Sequence, residues 1–247
     1  MEDFVMDEKK RLNTNSNTYT IFYSAVLVVI VAFLLAFVSS ALKPAQDVNV
    51  ALDKKRQILA ALNIRNLDDN AVADRYKQII VSDGIINADN QVIAKGTRGG
   101  EDAGFKLNSA DFKAGKLAVY TCNVDGKVKY VIPVYGMGLW GPISGYIAID
   151  SDKNTVYGAY FTHESETAGL GAEIKDNVAW QEQFQGKKLT LPGQKGIAIE
   201  VVKKNEVTNP AVQCDAVTGA TLTTDGVSRM LQDCLGKYIK FLNDKNI

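Results

Sequence analysis

An α+β fold is predicted for this chain: one N-terminal membrane-crossing helix, then a single domain with a mostly antiparallel sheet and a C-terminal helix. Three observations predict it. An apolar run without a charged residue fills positions 19–42. Two pairs of apolar segments between positions 117 and 161 flank tight-turn residues. Near the end, Val227, Met230, Leu231, Cys234, Leu235, Tyr238, Ile239 and Leu242 recur at helical spacing.

Positions 1–18 form a short tail before the apolar run. A membrane span needs about 20 predominantly apolar residues at helical rise. Inside lipid the backbone must satisfy its own hydrogen bonds, which selects a helix over 19–42. Tyr19, Phe22 and Tyr23 stand at one end, where aromatic side chains anchor at an interface. Ser39 and Ala41 are small enough for signal cleavage, but the run exceeds the roughly 7–15-residue core of a signal peptide, so a retained anchor is expected. Lys9, Lys10 and Arg11 precede the span, Lys43 alone follows closely, and Lys54, Lys55 and Arg56 come later. The positive-inside rule then places the tail in the cytoplasm and exports the rest. Lys43-Pro44 is expected to end the membrane helix, because proline disfavours helix in the residue before it.

Positions 43–247 hold the remainder: two helices, either a stalk or the opening layer of the domain, and the domain itself. The helices are expected over 53–62 and 68–81, the second with Val72, Tyr76, Ile79 and Ile80 on one face. Strands are expected at 117–122 and 128–134, around the hairpin signal Asp125-Gly126. A second hairpin joins 145–149 to 156–161, and further strands are expected at 189–191 and 197–202. A short helix is expected over 176–184, with Val178, Trp180 and Phe184 apolar.

Composition excludes several functions. Lys+Arg and Asp+Glu both number 28, so no basic footprint points to nucleic acid. Cys122, Cys214 and Cys234 are widely spaced, with no CxxC pair and no iron–sulfur cluster pattern. They read as small buried hydrophobes, and their spacing leaves open whether two of them pair. With His163 the only histidine, a His-rich metal site is excluded and no metal is expected. No G-x-S-x-G elbow marks a hydrolase, and no G-x-G-x-x-G after a strand, hence no dinucleotide fingerprint, is expected.

The chemistry concentrates just before the last helix. Asp215-Ala216-Val217-Thr218-Gly219-Ala220-Thr221-Leu222-Thr223 is a loop of small and hydroxyl residues entering a helix. Thr223 or Thr224 can cap that helix, and Asp225 suits its positive end. The free N–H groups of such a terminus seat a phosphate. Gly219 and Ala220 admit a bulky group close to the backbone.

Asp215-x-x-Thr218-Gly219-Ala220-Thr221 resembles the D-x-x-[ST]-G-A-T motif of the FMN-binding domain family, in which the last threonine carries the flavin. Residues 163–171, His163-Glu164-Ser165-Glu166-Thr167-Ala168-Gly169-Leu170-Gly171, resemble the family's H-x-E-T-P-G-L-G loop. Ala168 replaces its usual proline, and one extra residue separates His163 from Glu166-Thr167. A third stretch, Tyr135-Gly136-Met137-Gly138-Leu139-Trp140-Gly141, is similar to its G-x-G-L-W-G segment, whose glycines suit a planar ligand and whose Leu139 and Trp140 can border the flavin ring.

The resemblance implies FMN joined to Thr221 through a phosphoester. Asp215, Thr218, Gly219, Ala220, Leu222 and Thr223 are then its attachment loop, and Glu166, Thr167, Gly169, Leu170 and Gly171 a loop against the ring. No residue of this chain is implied to be catalytic: a separate flavin transferase using FAD and Mg²⁺ makes the bond. The layout is closest to the C-subunit family of Na⁺-translocating NADH:quinone oxidoreductases, and next to the G-subunit family of Rnf complexes. Both imply a redox subunit in a bacterial inner membrane, partnered by other subunits, with a periplasmic domain and no NADH oxidation by the chain alone. A membrane-tethered binding or scaffold domain without flavin is the alternative of another class.

Overall fold

The computed structural model describes residue 14 and residues 16–244. Lys9, Lys10 and Arg11, on which the expected orientation rests, lie outside the described residues. Two compact units divide the chain after Ala51.

The first unit is helical from position 17 onward. Helix α1, Asn17–Ala61, begins in it and continues past its boundary; it is long and apolar enough to cross a membrane, and the side chains of its apolar window are exposed. Tyr19 and Tyr23, one turn apart, stack with ring centroids at 6.1 Å. Pro44 does not end this helix, contrary to expectation; it lies inside it. A proline removes one i→i−4 hydrogen bond and crowds one carbonyl, and a helix can bridge that defect. The helix expected at 53–62 is therefore the last part of α1.

The second unit, Leu52–Ile247, is built on a six-stranded antiparallel sheet of order β2-β1-β3-β4-β5-β6. Its strands are β1 Ile80–Ile86, β2 Val92–Ala94, β3 Leu117–Val124, β4 Lys127–Met137, β5 Pro142–Asp150 and β6 Val156–His163. Both expected hairpins form, the first turning at Asp125, whose φ is 51°, and Gly126, whose φ is 78°. β1 and β2 were not expected; the apolar Ile79-Ile80 pair ends helix α2, Asp69–Ile79, and also starts β1.

Each face of the sheet is covered, and alternation along the strands sorts the side chains. Leu117, Val119, Tyr130, Ile132, Val134, Ile143, Ile147 and Ile149 join a core with Val227, Met230, Leu231 and Leu235. These last lie on helix α6, Thr221–Lys237. Ala118, Tyr120, Cys122, Val131, Tyr146 and Ala148 face the other way, onto Ile58, Leu59, Ala61, Leu62, Val72 and Tyr76.

The expected last helix breaks at Tyr238, which separates α6 from α7, Ile239–Asn243. The Tyr238 hydroxyl donates to the Ala118 carbonyl at 3.0 Å. The helix expected at 176–184 divides into α4, Glu173–Asp176, and α5, Val178–Glu182, because Asn177 is extended and caps α5 through its side chain. Residues 189–191 form no strand; Lys188 makes one isolated bridge to Thr155. Of 197–202 only β7, Glu200–Val202, is a strand, and it pairs in parallel with β8, Gln213–Asp215. A five-residue helix α3, Ser109–Lys113, precedes β3 with a full capping box from Asn108 and Asp111. All three cysteines are free and buried.

Candidate functional site

Strand register brings three loops to one end of the sheet. Met137 of β4 pairs with Pro142 of β5, and Ile143 of β5 pairs with His163 at the end of β6. The 138–141 loop and the 164–172 segment therefore leave the sheet side by side. Helix α6 brings the third loop by running along β4. Tyr135 N–H donates to Cys234 Sγ at 3.3 Å, and that thiol donates back to the Tyr135 carbonyl at 3.2 Å. Two turns earlier, a Cβ on Gly226 would stand 2.5 Å from the Met137 carbonyl oxygen, so only glycine lets the helix approach this closely.

Glu166 joins the three segments. It is 7% exposed. One carboxylate oxygen, Oε1, accepts from the Trp140 N–H at 2.9 Å, and Oε2 accepts from the Thr223 hydroxyl at 2.6 Å. Its own N–H donates to His163 Nδ1 at 3.2 Å. Burial pushes the carboxyl pKa up, but the hydrogen bonds from Thr223 and the backbones of Trp140, Gly141 and Leu139 outweigh burial and hold it below the usual range. A Cβ on Gly138 would lie 2.4 Å from Oε1, and one on Gly171 would lie 2.4 Å from Oε2. The room these two glycines leave is thus filled by the Glu166 carboxylate; at Gly138 the sequence had suggested room for a planar ligand.

Thr221 is the first residue of α6 and is half-buried. The helix's first bonded donor is the Thr224 N–H, to the Ala220 carbonyl at 3.0 Å. The N–H groups of Thr221, Leu222 and Thr223 therefore lie outside its ladder, at the positive end of the dipole. Neither threonine expected as a cap serves as one: Ala220 is the N-cap residue. Thr223 turns inward to Glu166, and the Thr224 hydroxyl donates to the carbonyls of Ala220 and Thr221, both at 3.0 Å. Asp225 lies beyond the first turn, which has no acidic residue.

Asp215 fixes the start of this loop. Its carboxylate accepts from the Asn205 N–H at 2.8 Å, and its carbonyl accepts from the Trp180 indole N–H at 2.7 Å. Thr218 Oγ1 accepts from Lys204 Nζ at 2.8 Å. Gly219 is exposed with φ 76°, and a Cβ there would meet Leu170 Cδ2 at 2.9 Å. The Thr167 carbonyl accepts from the N–H groups of Leu170 and Ala172 at 3.1 and 3.0 Å, which turns the segment through exposed Gly169.

Large apolar side chains are exposed on these loops: Leu139, Trp140, Leu170 and Leu222, with Trp140 at 67% and Leu222 at 58%. Met137, exposed beside them, was not singled out from the sequence. Nor was the Glu166–Thr223 hydrogen bond; Thr223 follows the motif threonine by two positions, but nothing in the sequence shows which way a loop carboxylate turns. A cavity of about 610 Å³ lies elsewhere, lined by residues such as Asp152, Asn154, Leu191 and Leu242. The three loops thus offer an open apolar rim around a helix N-terminus. That combination accepts a planar aromatic group with an anionic tail.

The G-x-G-x-x-G spacing of a dinucleotide fingerprint is in fact present, as Gly136, Gly138 and Gly141 after β4. It leads into β5 rather than a helix, so it offers no helix N-terminus to a pyrophosphate.

The class of protein is given by the domain: residues 138–236 match the FMN-binding domain family. The C subunit of the Na(+)-translocating NADH-quinone reductase of Pseudomonas aeruginosa is 31% identical, over 91% of this chain and 94% of that protein. The C subunit of the same reductase in Haemophilus ducreyi is 29% identical over 92% of each. Among solved structures, the C subunit from Parabacteroides distasonis superposes with a TM-score of 0.76 at 35% identity, covering 83% of this chain and 98% of that one. NqrC of Shewanella oneidensis gives 0.64 at 28%, covering 77% and 95%. The chain belongs to the family formed by the C subunits of Na(+)-translocating NADH-quinone reductases.

Proposed function

We propose that this chain is a membrane-anchored electron carrier of a Na⁺-translocating NADH:quinone reductase, with FMN held covalently through the Thr221 hydroxyl. The observation that supports this most directly is the place of Thr221: the first residue of a 17-residue helix, between exposed Leu222 and the Gly219 turn under Leu170. Thr221 Oγ1 attacks the flavin-side phosphorus of FAD in a transferase that uses Mg²⁺. The new O–P bond replaces the bond to AMP, AMP leaves, and the hydroxyl proton passes to the transferase. The free N–H groups at the start of α6 would face the resulting phosphodiester, whose negative charge suits the helix dipole. Leu139, Trp140, Leu170 and Leu222 would flank the ring, beside Thr167, Gly169 and Gly171. Bound FMN supplies one- and two-electron redox chemistry, and the protein supplies orientation and environment.

A covalent bond keeps a cofactor on an open surface where burial alone would hold it weakly. An open surface in turn lets neighbouring subunits come close enough to exchange electrons. The anchor α1 holds the domain at the inner membrane, with the domain in the periplasm. NADH oxidation falls to another subunit of the complex. Intact mass of denatured protein, after co-expression with a flavin transferase, tests the attachment. Wild type is expected to gain the mass of FMN less water, and Thr221→Val to gain none. Equal flavin mass in both would reject Thr221 as the acceptor.

A further inference from the structure

We propose that Glu166 is the positioning residue of the attachment site: its carboxylate ties the 138–141 loop to the first turn of α6 and so turns the Thr221 hydroxyl outward. This rests on Thr221 being the flavin acceptor. Among the described residues, the bond from Thr223 Oγ1 to Glu166 Oε2 is the one side-chain hydrogen bond joining that first turn to the other two loops. Thr221 and Thr223 are two residues apart, hence about 200° apart around the helix at 3.6 residues per turn. Drawing Thr223 inward onto a buried carboxylate therefore places Thr221 on the opposite side, where it is half-buried rather than enclosed. The same carboxylate holds the Trp140 N–H through Oε1 and fixes the loop that carries Leu139 and Trp140.

Local sequence is built around this group. At both Gly138 and Gly171 any Cβ would overlap a carboxylate oxygen, at 2.4 Å in each case. A second tie, the Ser165 hydroxyl donating to the Trp140 carbonyl at 3.2 Å, joins two of the loops but does not reach α6. Removing the Glu166 side chain would leave the Thr223 hydroxyl without its acceptor and the Trp140 N–H unbonded, beside two glycines with no side chain to fill the space. Both ends of the acceptor site would then move independently. The carboxylate is thus assigned to preorganising the chain before flavin arrives, not to touching the flavin.

The test uses full-length apo-protein in detergent, as wild type, Glu166→Ala, Glu166→Gln and Thr223→Val. Hydrogen exchange at the amides of residues 139–141 reads the loop without any flavin. The initial rate of mass gain with transferase, FAD and Mg²⁺ reads the acceptor. Glu166→Ala is expected to exchange faster at 139–141 and to attach flavin more slowly, each by about tenfold, the scale of losing a hydrogen bond to a charged group. Glu166→Gln keeps an acceptor for the Trp140 N–H and a partner for Thr223, and is expected to recover most of both. Thr223→Val is expected to slow attachment while leaving exchange at 139–141 within about twofold of wild type. Attachment and exchange at wild-type values in Glu166→Ala would overturn the assignment, as would a glutamine variant no better than alanine. If wild type gains no flavin mass, the Thr221 reading fails separately, and exchange at 139–141 alone decides the role of Glu166.

Discussion

Taking the Glu166 carboxylate out of water favours its protonated form, while the donors around it favour the ionised one. The donors win, so its pKa is lower in the folded protein than in the unfolded chain. Such a group contributes stability that is complete above its unfolded pKa and is lost as pH falls through its folded pKa. The difference in urea midpoint between wild type and Glu166→Gln should therefore be full at neutral pH and shrink as pH drops below about 4.5, the ordinary glutamate value. A difference that does not change with pH would mean that the carboxyl has the same pKa in the folded and unfolded chains, so that its donors do not outweigh burial. At this scale the sequence was informative about which loops matter and uninformative about side-chain direction. Thr221 stands out because its tetrapeptide, weak alone, follows Asp215 and two upstream loops in the order of the family pattern that they resemble. Glu166 and Thr223 stand in irregular segments, where no period of 2 or 3.6 assigns an inside and an outside. Only the strand register makes their meeting visible.

Elements were legible where periodicity ran for several turns, as in α6, or where a turn signal such as Asp125-Gly126 sat between apolar segments. They were lost where one element passes straight into another. Ile79 and Ile80 serve both α2 and β1, so the first strand read as more helix; β2 and β8, at three residues each, carry too little pattern to detect. The break at Tyr238 was also hidden, because apolar spacing continues across it into α7. That last helix is held by a specific cluster. Phe241 meets the Tyr130 ring edge-on at 5.3 Å, and Lys153 Nζ lies 4.6 Å from the Phe241 ring. The same ammonium group donates to the Asp244 carbonyl at 2.5 Å. Phe241→Ala should therefore cost about 3–5 kcal/mol, the usual range for a buried phenylalanine truncated to alanine. Urea unfolding would measure it, and a loss under about 1 kcal/mol would show that α7 adds little to the fold.

For the molecule as a whole, the fold class was legible but the two-sided burial of the sheet was not. Strands such as β3 and β5 read as plain apolar runs, since both of their faces are covered. One cover is made partly by Ile58, Leu59, Ala61 and Leu62 in the segment that begins just after the apolar run. Of the two readings of these helices, a stalk or the opening layer of the domain, the packing favours the second. Two truncations separate these views. A chain starting at residue 52 should melt cooperatively as a soluble domain, because Leu52–Ile247 is a compact unit. A chain starting at residue 66 removes four fully buried apolar side chains from one face and should melt far lower or fail to fold, as followed by circular dichroism. Equal melting of the two would show that this face is dispensable.

The sheet has two free ends, and the chain carries a formal net charge of zero. Proteins without net charge have no long-range repulsion to keep copies apart, so protection against edge-to-edge fibril growth must be built locally. At one end β2 is only three residues long, and the register of its partner shifts between Ile85 and Ile86. At the other, Val156 at the start of β6 gives its N–H to the Lys187 carbonyl and accepts from the Gly186 N–H, while Lys188 bridges to Thr155. A stub with a bulge and a lysine-bearing strap leave an incoming strand little straight backbone to copy, a local guard against edge-to-edge association in a chain whose charges balance overall.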